Sequence, residues 1–142
     1  MNRIATLALF VAATFITVGN ASAQNYQVKV NVPFSFTVGT STMPAGSYTI
    51  KSDFGSRNLV YLTNWGENTK SMALGITEQG NPNETGKLVF HRVGDQYFLS
   101  DIRCSNASMN IHFPVTKAEK RVRAQIQTAG LRANDNVQVA LK

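Results

Sequence analysis

The chain holds one cysteine, one tryptophan, four prolines and eight acidic residues in 142 positions, and each scarcity excludes something. A single cysteine rules out an internal disulfide, so packing alone must hold the fold. Cys104 is left as a small hydrophobe or as a free thiol open to intermolecular pairing. There is no phosphate-cradling glycine loop and no Gly-x-Ser-x-Gly elbow, the local marks of nucleotide binding and of a serine hydrolase. After residue 23 no apolar run approaches the roughly 20 residues of a membrane-spanning helix.

What is present begins at the N-terminus. Arg3 supplies a positive start, Ile4 to Val18 an apolar run, and Ala21-Ser22-Ala23 a small-x-small cleavage site. Gly19 and Asn20 close the run early, no cysteine follows it for a lipid anchor, and no twin arginine precedes it. The expectation is a cleaved signal peptide, residues 1–23, of the general secretory route. A single β-rich domain of residues 24–142 would follow, periplasmic or extracellular. Losing Arg3 lowers the net charge from +6 only to about +5, a mild bias that is no nucleic-acid signature.

From Tyr26 to Ile102 short β-branched and aromatic runs alternate with turn residues, and nothing keeps a helical period for three turns. Tyr26, Val28, Val30 and Val32 alternate with Gln27, Lys29 and Asn31, a strand with one wet face. Pro33 ends or bends that ladder, after which Phe34, Phe36 and Val38 resume the alternation, two runs that would make one bent strand. Gly39 to Gly46 reads as a polar turn, and strands follow at Tyr48 and Ile50 and at Leu59 to Thr63. The Asn64-Trp65-Gly66-Glu67-Asn68 loop leads to Ser71 to Thr77, where Met72, Leu74 and Ile76 share a face. Lys87 to Val93 and Gln96 to Arg103 flank Gly94-Asp95, a pair suited to a tight hairpin. The fold expected is all-β, a small barrel or sandwich of about seven or eight short, mainly antiparallel strands. One C-terminal amphipathic helix interrupts it. Thr116-Lys117-Ala118-Glu119 is a capping box and Gly130 a stop. Ala118, Val122, Ile126 and Ala129 fall in one arc facing the sheet, with Lys117, Lys120, Arg121 and Arg123 opposite. Asn136 to Leu141 reads as a last strand.

The segments Val32-Pro33-Phe34-Ser35-Phe36-Thr37-Val38-Gly39, Met43-Pro44-Ala45-Gly46-Ser47-Tyr48-Thr49-Ile50, Tyr97-Phe98-Leu99-Ser100 and Thr116-Lys117-Ala118-Glu119 together carry a resemblance. The chain resembles a group of short secreted bacterial proteins sharing PF-x-F-x-VG, PAG-x-Y and YFL segments and a K-A-E helix. That resemblance implies a bacterial, exported protein and brings no catalytic residues with it. Many members carry an aromatic residue after the YFL strand, where this chain has Arg103-Cys104. The Pro-Ala-Gly-x-Tyr turn also looks like strand entries in prealbumin-like and immunoglobulin-like extracellular modules.

Chemistry-bearing residues are few. Cys104 with His91 or His112 is the nucleophile and base pairing available for a thiol enzyme, since a thiolate forms at neutral pH beside an imidazolium. The two histidines with Asp95 or Asp101 have no compact zinc-ligand spacing, so no metal and no cofactor is expected. Asp53, Glu67, Glu78, Glu84, Asp95 and Asp101 read as solvated turn acids rather than paired catalytic carboxylates. Lys117, Lys120 and Arg121 crowd the first turns of the helix, where its dipole favours acids. With Arg123 and Arg132 they form a candidate surface for an anionic envelope component: lipid headgroups, lipopolysaccharide or a cell-wall polymer. Loop-borne Trp65 is a candidate stacking platform for a sugar, and an exposed edge strand would admit a protein partner. The reading is an exported, non-catalytic binding or structural module of the bacterial envelope. The alternatives are a small secreted enzyme using Cys104 with a histidine, or a sugar-binding module using Trp65.

Overall fold

The computed structural model describes residues 27–53, 55–131 and 135–142; the expected signal segment, Tyr26 and Arg132 lie outside them. Strand β1 (Gln27–Val32) buries Val28, Val30 and Val32 and turns Lys29 and Asn31 outward, as its alternation requires. Beyond Pro33 the chain passes to a second sheet, where β2 (Phe36–Val38) and β3 (Ser41–Met43) pair as a hairpin. The apolar runs on either side of Pro33 are thus strands of different sheets rather than one bent strand. The polar stretch from Gly39 to Gly46 contains β3 as well as its turns.

Strands β4 (Gly46–Ser52), β5 (Leu59–Asn64) and β6 (Thr69–Leu74) complete a four-stranded antiparallel sheet in the order β1-β4-β5-β6. The second sheet runs β11-β8-β9-β10-β7, made of β7 (Ile76–Thr77), β8 (Lys87–Val93), β9 (Gln96–Cys104), β10 (Met109–His112) and β11 (Asp135–Ala140). Strand β2 joins it alongside β9. The two curled sheets form a half-barrel around one core, and α1 (Lys117–Thr128) is the one helix among the described residues. The Lys142 amide donates to the Lys29 carbonyl at 3.0 Å and closes one seam between the sheets. The described strands outnumber the seven or eight expected because the run around Pro33 and the run Ser71 to Thr77 each divide into two strands, and because β3 and β10 were not read as strands.

Strand β6 reverses an expectation. Ala73 is its buried residue, while Met72, Leu74 and Ile76, read as a core face, are 65%, 71% and 53% exposed. The cause lies in the hairpin: the loop Trp65 to Asn68 closes the pair Asn64↔Thr69, which places Thr69, Ser71 and Ala73 opposite the inward Asn64, Leu62 and Val60. The expected run also breaks at Gly75, where β6 gives way to β7 of the other sheet. A side chain at Gly75 would meet Ile111 at 2.3 Å, so only glycine lets the backbone pass.

Helix α1 starts as expected, with the Thr116 hydroxyl accepting from the Glu119 amide at 3.1 Å. The other half of the capping box does not form, because the Glu119 carboxylate turns to the sheet and meets His91 and Arg123. Glu119 is the one buried residue of the helix; Val122 and Ile126 are half-buried, and Ala118 and Ala129 are exposed. The inward stripe is therefore Glu119, Val122, Arg123 and Ile126 instead of the alanine-bearing arc. No described helix is long and apolar enough to cross a membrane.

Candidate functional site

Trp65 begins the β5–β6 loop and is 72% exposed. Asn64, buried beneath it, holds the loop: its Oδ1 accepts from the amides of Gly66 at 3.0 Å and Glu67 at 3.2 Å. Asn64 in turn lies against Gly46, whose φ of 149° no ordinary side chain adopts comfortably. A Cβ there would stand 2.6 Å from Asn64 Nδ2. The glycine of the Pro-Ala-Gly-x-Tyr turn thus makes room for the residue that shapes the tryptophan loop. Trp65 borders an open groove of about 290 Å³ on the outer face of the four-stranded sheet, together with Lys29, Asn31, Ser47, Thr49 and Lys142. Ser47 Oγ donates to Asn31 Oδ1 across the groove floor at 3.2 Å. Lys70 Nζ lies 5.7 Å from the indole centroid without lining the groove.

The basic helix face is smaller than its sequence suggests. Lys117, Lys120 and Arg121 are exposed, but Arg123 folds back so that its guanidinium pairs with Glu119, Nε to Oε1 at 3.0 Å, beside His91. Arg123 is thereby removed from the outward set, and the reason is charge: a carboxylate buried against the sheet requires a cation.

The thiol pairing is not assembled. Cys104 follows Ile102 on the core side of β9, is half-buried, and borders a cleft of about 590 Å³ with Val28, Gly86, Ala107 and Leu141. His112 stands opposite Asp101, on the outward parity of the same sheet, and His91 faces the helix. Alternation along the strands therefore separates Cys104 from both imidazoles by the sheet itself. His112 Nδ1 meets Asp101 at 3.2 Å while His91 Nδ1 meets Glu119 at 2.8 Å, and the described residues contain no group of three metal-ligand side chains.

Two ionic networks escaped the sequence reading because their members come from different strands. On the outer face of the second sheet, Arg103 bridges Asp101 at 2.5 Å and Glu78 at 2.7 Å, and Ser100 Oγ donates to Asp101 at 2.5 Å. Burial pushes the Asp101 carboxyl up, but Ser100, His112 and Arg103 outweigh it and hold the group below the usual carboxylate value. Burial likewise opposes the charge on Arg103, yet Glu78 and Asp101 raise its pKa. The other network is Glu119 with His91 and Arg123. Asp101 and Glu78 are thus structural acids held by cations. Of the groove residues, Lys29 and Asn31 were legible as the wet face of β1; Ser47, Thr49 and Lys142 carry no local signal, since only sheet pairing and the seam bring them there.

The fold and this groove together define a curled β half-barrel with one helix and an aromatic, lysine-edged surface site. Compared with known family models, curated proteins and solved structures, the chain matches none.

Proposed function

We propose that this chain is a non-catalytic binding module of the bacterial envelope, exported by its N-terminal segment, that engages an anionic envelope polymer. The supporting observation is a sheet face that carries cations and no acid. On the second sheet and helix, Glu78, Asp101 and Glu119 all sit in ion pairs. On the outer face of the four-stranded sheet, Lys29, Lys51 and Lys70 stand among hydroxyl, amide and apolar side chains, with no carboxylate at any outward strand position. None of these lysines has an ion pair among the described residues. Unpaired cations on one face attract a polyanion, and salt screens that attraction with a Debye length of about 10 Å at 0.1 M.

The test is co-sedimentation of the mature protein with purified cell wall and with anionic vesicles over a salt series. A Lys29→Glu, Lys51→Glu, Lys70→Glu variant should lose salt-sensitive binding, while a Lys117→Glu, Lys120→Glu, Arg121→Glu variant keeps it. The reverse pattern would move the contact to the helix. Absence of binding by the unaltered protein to either material would refute the proposal.

A further inference from the structure

We infer that the groove beside Trp65 is a subsite for one acidic sugar unit, a pyranose ring bearing a carboxylate or phosphate. This rests on the binding-module reading and adds to it the chemistry of the unit recognised. Trp65 is the only tryptophan in the chain and is 72% exposed at the border of the groove, so its indole face is available to a ligand. The loop that carries it is held before any ligand arrives, because buried Asn64 ties down two of its amides and is itself packed on Gly46. Preformed geometry spares a ligand the entropy of ordering the site.

The rest of the groove matches the two faces of a sugar. A pyranose offers C–H bonds on its flat side, which pack on the electron-rich indole face, and hydroxyls at its rim, which need donors and acceptors. Asn31, Ser47 and Thr49 supply those on the floor, and Lys29 sets positive charge at the edge. The volume of about 290 Å³ falls at the small end of ligand sites, roughly 300 to 1,000 Å³, and suits a short glycan segment more than a large cofactor. A bare phosphate would have no use for the indole.

The single tryptophan is its own reporter. Mature protein is titrated with galacturonic acid hexamer, glucose 6-phosphate, maltohexaose and oligothymidylate while Trp65 emission is followed, with calorimetry for the variants. A saturable emission change with the hexamer or the sugar phosphate is expected, the stronger of the two identifying the anion. Maltohexaose should bind at least about tenfold more weakly, as should Lys29→Ala with the acidic ligand, a loss of about 1.4 kcal/mol. Trp65→Ala should abolish calorimetric binding with an unchanged melting temperature, since its ring is outside the core. Equal binding of neutral and acidic sugars, tighter binding of oligothymidylate, or full binding by Trp65→Ala would each overturn the inference. If no sugar binds while cell wall still sediments the protein in a salt-sensitive way, the subsite is wrong and the module stands; if neither occurs, both fall.

Discussion

Gly46 shows how one residue carries both fold and site. Its backbone conformation and its contact with Asn64 leave no space for a Cβ, and Asn64 in turn positions the Trp65 loop. Gly46→Ala should destabilise the protein by roughly 1 to 3 kcal/mol in urea unfolding, the cost of a strained backbone position. It should also shift Trp65 emission in the folded state. A stability loss without any change at Trp65 would disconnect the glycine from the loop. Tyr48, two residues on, is buried with its hydroxyl donating to the Pro44 carbonyl, so the turn is closed from both ends. The sequence showed this turn through proline, glycine and tyrosine; it did not show Asn64, which lies in another strand.

At the scale of elements, α1 meets the sheet through a buried carboxylate as well as through apolar side chains. A helix of 12 residues is marginal in water on its own. Its docking depends on Glu119 meeting His91 of β8, with Arg123 of the helix itself completing the cluster, and on Ile126 packing over Gly94. Glu119→Ala removes the shared partner of His91 and Arg123 and should cost about 1 to 3 kcal/mol. Amide exchange should quicken across Lys117–Thr128 and stay unchanged in β1 and β4. Uniform acceleration in helix and sheets alike would mean that the helix unfolds only with the whole molecule.

Strand β6 teaches the complementary lesson about legibility. Its large apolar residues face solvent, because parity passes across from β5 through the hairpin and overrides the side chains' own preference. In β1 and β8 the apolar pattern and the pairing agree, so those strands were readable. The 3.6-residue pattern found the helix and its ends, but misjudged its inward face, since a buried carboxylate with its cations looks polar to any hydrophobic count.

Across the whole molecule, acid stability should follow the ionic face. Asp101 has a folded-state pKa below its ordinary 3.8, so its charge stabilises the fold fully above that value, and the contribution fades as pH falls through the lower folded value. Tyr48 acts at the other end. Burial raises its phenol above 10.0, with Glu67 adding to the rise and Asn64 opposing it, so stability declines as pH climbs past the unfolded value. A plateau between about pH 5 and 9 is therefore expected in the urea midpoint. Asp101→Asn should lower the plateau and flatten the acid limb; an acid limb as steep as the unaltered protein's would show that other carboxylates govern it.

The boundaries of β1, β5, β8, β9 and β11, the β8–β9 hairpin, the helix and its caps, and an all-β body were settled by local order along the chain: alternation, turn residues and capping chemistry act over a few positions and need no distant partner. Which face of β6 is wet, which sheet each run around Pro33 joins, the sheet that stands between Cys104 and the histidines, and the gathering of Lys29, Asn31, Ser47 and Lys142 beside Trp65 were settled by register and by the seam between sheets. Those depend on pairings between segments far apart in the chain, which no local pattern records.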